Sequence, residues 1–487
     1  MEQRKKSIGL NAFLNTLRTA LNLLFPLITV PYISRVLTVD EIGKYNFSFT
    51  IITYVLLISA LGIDKYAIRE GTKFRGDKNK IEEFASRVFS INIVSTLLSY
   101  IILFLYLFFS QKAKSYISCI LILSIEVFFT TLGTEWLYSI FEEYTYITIR
   151  SIVFKIISII LLFLFVRKPG DYLYYAAITV ISSVGSNVLN FIHLRKFCRI
   201  RLTFRFKLRE MLAPIMVIFA TNVAIKIYVT SDTTMLGYLK DDYVVGIYSF
   251  SVRIYTIVKT LLAAALFVAI PRLSMYVGKG MMRDFKDLLN KMFNTLMMIV
   301  PPAIIGLIML SKNIIIIIGG ENYLQSQSSL IILSVAIFFS IFSTLFSQCI
   351  LLPFKREKCI LRASAISALE NISLNFILIP YFAEIGVAFT TVLAELTMTI
   401  FNYSSCRDIA KFILSKKTAK NTLSVAVGCL AIIGTCYLIC NFVSDMITQT
   451  VLSVFISIFV YSLVLLVLKN PIFLNLLGRI TERLKRK

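Results

Sequence analysis

The sequence predicts an all-α, polytopic membrane protein of about fourteen transmembrane helices. Three observations predict it. Apolar runs long enough to cross a bilayer follow one another almost end to end. Mean hydropathy is +0.79, with 57% hydrophobic residues. The basic residues crowd into every second gap between the runs. A span needs roughly 20 apolar residues at about 1.5 Å rise each. Backbone amides find no water in lipid, so such runs must be helices, and they are too long for barrel strands. A soluble globular protein is excluded.

In chain order the spans are expected at 10–34, 43–63, 84–109, 116–139, 147–166, 172–194, 212–236, 245–270, 288–310, 327–350, 359–380, 384–405, 421–443 and 447–468. MEQRKKSIGL places a basic start before a long apolar run without a small-residue cleavage site, which reads as an uncleaved first span. Of 51 Lys and Arg, 34 fall in the even-numbered gaps and the tails and 7 in the alternate loops. That is the positive-inside pattern, and it places both termini in the cytoplasm. The net charge of +24 therefore reports topology, not nucleic acid. RKFCRIRLTFRFKLR (195–209) reads as a linker beside anionic headgroups.

The linker divides six spans from the next six. GKYNFSFTIITY (43–54) and GIYSFSVRIYTI (246–257) open the second and eighth spans. At one offset of 203 residues, Gly43, Tyr45, Phe47, Ser48 and Ile51 match Gly246, Tyr248, Phe250, Ser251 and Ile254. Acids precede both, Asp40 and Glu41 in one case, Asp241 and Asp242 in the other. Both spans run the same way, so this is a parallel repeat, whose binding site is expected near the midplane between the halves. The expected domains are an N-terminal six-helix lobe (1–194), a basic linker (195–211), a second six-helix lobe (212–405), and two further helices with a basic tail (406–487). The loops leave no room for an extracytoplasmic enzyme domain, and no phosphate-binding GxxxxGK motif is present. The eight cysteines form no CxxC pair, and they and the single His193 read as packing residues, without a metal site.

Charges inside the spans carry the functional argument. Span 1 holds Asn11, Asn15, Arg18 and Asn22 on one helical face. Span 2 holds Asn46, Thr50 and Thr53. Span 8 repeats that stripe as Ser249, Arg253 and Thr256, with Lys259 beyond. Span 7 holds Asn222, Lys226, Thr230 and Thr233. A charge at the bilayer centre costs about 2.5–3.5 kcal/mol on insertion scales, so interior cations mark either internal ion pairs or a wet cavity. Arg18, Lys226, Arg253 and Lys259 are the expected anion-binding set, and phosphate suits both Arg forks and Lys point charges. Asn15, Asn22, Asn46, Thr50, Asn222, Ser249 and Thr256 are the expected polar lining. Glu135, Asp232 and Glu395 are candidates for a coupling proton or sodium ion, with structural pairing as the competing role.

PLITVPYISRVLTVDEIGKYNFSFTIITYVLLISALGIDKYAIRE (26–70), TEWLYSIFEEYTYITIRSIVFK (134–155) and IPYFAEIGVAFTTVLAE (379–395) resemble segments of the Wzx-type polysaccharide repeat-unit flippases. That family belongs to the multidrug/oligosaccharidyl-lipid/polysaccharide exporter superfamily. The resemblance implies two six-helix lobes plus two C-terminal helices in a bacterial cytoplasmic membrane. It implies a transporter, not an enzyme. The cargo it implies is an undecaprenyl-diphosphate-linked oligosaccharide, flipped by alternating access for O-antigen, capsule or exopolysaccharide assembly and passed to a polymerase with its chain-length partners. No cofactor is expected, only membrane lipid and an ion gradient. The alternatives are a cation-coupled multidrug antiporter of the same superfamily, which predicts an acidic cavity, and an integral-membrane glycan polymerase or ligase, which predicts a large external loop. A flippase for peptidoglycan precursor shares the charge logic.

Overall fold

The computed structural model describes residues 25–195, 198–203, 208–411 and 416–485. Every regular element among them is helical, and eleven segments are long and apolar enough to span a membrane. The protein is a multi-pass membrane protein. Most of the expected first span, with Asn15, Arg18 and Asn22, lies outside the described residues. Contacts gather the chain into two units, Met1–Gly246 and Ile247–Lys487.

In the first unit α1 (25–36) leads into α2 (Val39–Ala60). Thr38 Oγ1 accepts from Glu41 N (3.2 Å) and Glu41 Oε2 accepts from Thr38 N (2.9 Å), a reciprocal box that fixes where α2 begins. The helix stops at Leu61 and Gly62, both left-handed at φ 47° and 75°, and the short α3 (Ile63–Gly71) resumes. The carbonyl of Ser59, freed by that break, accepts from Asn92 Nδ2 (2.9 Å) and Ser95 Oγ (2.6 Å) of α4 (Lys78–Phe109). Irregular backbone at membrane depth needs such replacement partners. After α5 (Gln111–Lys114), α6 (Ile117–Gly133) breaks in the same manner at Thr134 (φ 41°) into α7 (Glu135–Ile140). α8 (Tyr144–Phe165), α9 (Tyr172–Val184) and α10 (Asn187–Leu194) follow. Asn187 and Asn190 of α10 donate to the carbonyls of Phe129 (3.0 Å) and Gly133 (3.1 Å) beside the break. Gly133 lets Asn187 approach closely, since a Cβ there would stand 2.5 Å from Asn187 Cγ and displace that side chain. Ile63, Tyr66, Trp136, Leu137, Tyr138 and Ile140 pack together between the two breaks as the buried core.

The linker after α10 is strapped to α4. The backbone N–H groups of Arg199, Arg201 and Thr203 donate to Glu82 Oε1 (3.0 Å), Ser86 Oγ (3.0 Å) and Ser90 Oγ (2.9 Å). Acceptors four apart on a helix repeat about every 6 Å, and donors two apart on an extended chain about every 6.7 Å, so the pitches match. Cys198, at the start of the strap, is 1% exposed, and burial pushes its thiol up to about 12. It should therefore resist maleimide at pH 7.5. Ser86→Ala with Ser90→Ala, which removes two of the three rungs, should raise its labelling at least tenfold, read by peptide mass. Unchanged protection would show that the strap holds without them.

α11 (Leu208–Leu239), the expected seventh span, packs on α2 within this unit, and α12 (Asp242–Gly278) begins here. The contact boundary thus falls at Gly246, beyond the basic linker at 195–211.

The second unit holds the rest of α12, then α13 (Met282–Met309), α14 (Ser311–Gly319) and α15 (Ser326–Phe346). α16 (Glu357–Ala410) is 54 residues long but reverses at Ala383 (φ 48°), so its two arms are the expected eleventh and twelfth spans. Thr390 Oγ1 donates to Asn375 Oδ1 (2.6 Å), and Asn375 Nδ2 to Asn371 Oδ1 (3.2 Å), which sets the register of the hairpin. α17 (Lys416–Phe442), α18 (Met446–Val467) and α19 (Pro471–Lys485) complete the unit. A buried asparagine chain holds them. Asn421 Nδ2 donates to Asn294 Oδ1 (3.1 Å), Asn470 Nδ2 donates to Asn421 Oδ1 (2.9 Å), and Asn470 Oδ1 accepts from Ile472 N (3.0 Å) and Phe473 N (3.1 Å) to start α19.

Candidate functional site

The 203-residue offset is a structural repeat. Helices α2 and α12 both begin on it, at Val39 and Asp242. Their caps obey it too, since Asp241 Oδ1 accepts from Val244 N (2.9 Å) as Thr38 Oγ1 accepts from Glu41 N. Within the first unit the two helix starts cross reciprocally. A Cβ on Gly43 would fall on the carbonyl oxygen of Asp242, and a Cβ on Gly246 on that of Val39, both well inside 3.0 Å. Asp242 lies four residues before Gly246, and Val39 four before Gly43, so the crossing maps onto itself under the repeat. Phe47 then fills the space over Gly237 of α11, edge-on to Tyr116 and Tyr238. Tyr116 donates to Asp242 Oδ1 (2.6 Å), Lys112 to the Lys240 carbonyl (3.0 Å), and the hydroxyls of Tyr106 and Tyr238 meet. This end of the helices is closely packed.

The polar stripe of α2 folds back on its own helix. Asn46 donates to the Ile42 carbonyl (2.9 Å) and buried Thr50 to that of Asn46 (2.9 Å). Tyr54 meets Thr234 of α11 (3.0 Å). Below the break in α2, Lys65 Nζ donates to Asn222 Oδ1 (3.1 Å). Half-buried Lys226 stands one turn further along the same face of α11, with no ion-pair partner among the described residues. Lys65 was expected in a loop. The signal for it is the LGIDK stretch, where left-handed Leu61 and Gly62 end α2 and start α3, bringing Lys65 to α11. Glu135 binds Arg150 (2.8 Å), whose side chain is 5% exposed. Asp232 of α11 is half-buried and engaged, and Lys155 lies over the Phe25 ring.

In the second unit the repeat-related stripe opens outward. Arg253 and Thr256 are exposed, and among the described residues Arg253 has no ion-pair partner. Half-buried Ser249 has a buried Oγ without a hydrogen-bond partner among them. Lys259 behaves differently. Its Nζ contacts Glu395 Oε1 (3.1 Å) and Tyr255 OH (3.2 Å), and Tyr255 also donates to that carboxylate (3.3 Å). Lys259 and Glu395, expected respectively as a phosphate ligand and an ion-coupling acid, thus neutralise each other across 136 residues of sequence. In the first unit half-buried Lys226 and exposed Lys65, and in the second unit exposed Arg253, have no ion-pair partner among the described residues. Among the described residues no cluster of side chains fits a metal ion.

A family model described as polysaccharide biosynthesis protein matches residues 8–277. The chain is 22% identical over 403 residues to the Putative O-antigen transporter of Escherichia coli, covering 82% of this chain and 96% of that one. It is also 22% identical over 384 residues to the Capsular polysaccharide biosynthesis protein CapF of Staphylococcus aureus, covering 76% and 92%. Among solved structures, the lipid II flippase MurJ in an inward closed conformation shares the fold, with a TM-score of 0.76 and 18% identity over 95% of this chain and 99% of that one.

Proposed function

The chain belongs to the polysaccharide biosynthesis protein family, and we propose that it flips undecaprenyl-diphosphate-linked oligosaccharide repeat units across the bacterial cytoplasmic membrane by alternating access. The observation that carries the reading is that two cations within the spans, half-buried Lys226 in the first unit and exposed Arg253 in the second, have no ion-pair partner among the described residues. Uncompensated cations within spans are costly, and a doubly charged diphosphate offsets that cost. Lys65 joins this set, and Arg18 stays in it on the grounds of the sequence. The names of the relatives, an O-antigen transporter and a capsular polysaccharide biosynthesis protein, support the cargo class. Both termini lie in the cytoplasm in this reading, which puts the crossing of the α2 and α12 starts toward the outer face.

Binding alone gives no direction, because a ligand shifts two states only by its differential affinity for them. A proton or sodium gradient, or removal of product by a polymerase, supplies the rest. A coupling ion at Glu135 or Glu395 must compete with Arg150 or Lys259, which makes either ion pair a switchable contact.

Deletion of the gene, with analysis of lipid-linked intermediates, tests the reading. Loss of surface polymer with the complete repeat unit retained on the cytoplasmic face is expected. The same unit accumulating on the outer face would overturn it in favour of a polymerase or ligase. Lys226→Ala and Arg253→Ala should each lower export by tenfold or more at unchanged membrane abundance, on the scale of about 1.5–3 kcal/mol for a charge-assisted contact. Full export by both variants would remove the cationic site.

A further inference from the structure

The strap and α4 enclose a second basic pocket that the transport reading does not use. It measures about 430 Å³ and is lined by Glu82, Glu83, Ser86, Arg87, Arg199, Arg201 and Thr203. All of these residues lie in the first unit. The three backbone bonds to α4 decide where the arginines go. In an extended chain alternate residues face the same way, so Arg199 and Arg201 are held on one side of the strap while Leu202, 63% exposed, points to the other.

Two carboxylates line the same pocket, and both are already engaged. Glu82 accepts from the Arg199 backbone (3.0 Å), and Glu83 is paired with Arg87 along the helix. Arg199 and Arg201 are exposed, and no side-chain partner holds either of them among the described residues. The pocket keeps a net positive charge and two free planar forks, the geometry that binds phosphate oxygens in pairs.

Its depth identifies the source of the phosphate. On α4 the lipid-facing apolar residues begin at Val94, followed by Leu97, Leu98 and Ile101. Arg87 precedes Val94 by seven residues, about 10 Å along the axis. That places the pocket just outside the hydrocarbon, in the headgroup layer, on the face that the charge distribution assigns to the cytoplasm.

We propose that this pocket seats the phosphate of an anionic glycerophospholipid, held by Arg199 and Arg201 with Arg87 behind them. The bound lipid bridges the strap to α4 and so holds the chain that joins α10 to α11. The inference rests on the membrane topology of the proposed function but not on transport, because lipid binding is read without any cargo.

The test uses the full-length protein purified in detergent, with native mass spectrometry after addition of phosphatidylglycerol, phosphatidylcholine or inorganic phosphate. The wild type should retain phosphatidylglycerol in preference to phosphatidylcholine. Arg199→Gln with Arg201→Gln should weaken that retention on the order of 30-fold, from two cations near an anionic headgroup. Protection of Cys198 from maleimide, measured on the same sample, shows that the strap is still docked, since its rungs are donated by backbone N–H groups that these substitutions keep. Equal retention of phosphatidylcholine, or undiminished phosphatidylglycerol binding by the double variant, would overturn the proposal. Competition by inorganic phosphate at matched concentration would also overturn it, by making the ligand a soluble anion. Loss of lipid binding with export intact, or the reverse, separates this site from the transport reading.

Discussion

Gly43→Leu should abolish export while leaving the protein in the membrane, and Gly246→Leu should do the same. Elsewhere in a helix glycine is a liability, and replacing it with alanine gains about 1 kcal/mol. At the crossing the sign reverses. The Cβ of any residue at 43 or 246 meets a backbone oxygen, of Asp242 or Val39, and a backbone atom has no rotamer with which to yield. The helix starts must separate, at a typical overpacking cost of about 1–3 kcal/mol. A crossing weakened by about 2 kcal/mol has its closed-to-separated ratio cut roughly 30-fold. Even Gly43→Ala should therefore depress export, and Asp40 beside it should become labelled when replaced by cysteine. Gly306 in α13 is the control, because a Cβ there meets nothing within 4 Å, so Gly306→Ala should be neutral or mildly stabilising. Full export by Gly43→Leu would show that the crossing need not close.

Glu395→Ala should cost more stability than Lys259→Ala with Glu395→Met, although it changes fewer residues. The carboxylate is 6% exposed, and the Lys259 ammonium leans on it and on Tyr255. Removing one member of a buried pair leaves an uncompensated charge, typically about 3–5 kcal/mol, while replacing both with apolar groups is often near neutral. The single variant should lose most of its membrane abundance and melt several degrees lower in detergent. The paired variant should recover both, and export with them, since Lys226, Arg253 and Lys65 remain. Recovered abundance without export would instead return Lys259 to the substrate-binding set, where the helical stripe first put it.

That divergence marks the limit of the one-dimensional argument. The all-α class, the long spans, the alternating basic loops and the 203-residue repeat were all legible. Each depends on properties that add along the chain, namely hydropathy over some twenty residues, charge per loop and identity at a fixed offset. The repeat was legible as identities, and its Gly43 and Gly246 matched before their reason was visible. A stripe on a helical wheel specifies an angle around one axis. It does not specify which helix lies opposite, so it grouped Lys259 with Arg253 although a carboxylate 136 residues away neutralises the first and not the second. The break at Leu61 and Gly62 that carries Lys65 to Asn222 was read as the end of a span and the start of a loop.

By itself the sequence determined what kind of protein this is, that its chain crosses a membrane many times and which two helix starts are copies of each other. Only the tertiary structure decided which charges are satisfied, why two glycines recur and where the basic linker lies. Those outcomes turn on pairs of atoms within about 3 Å drawn from helices far apart in the chain. A hydrogen bond or a steric clash is decided at that range, while the hydrophobic pattern that builds the spans fixes each helix and leaves its neighbours to packing.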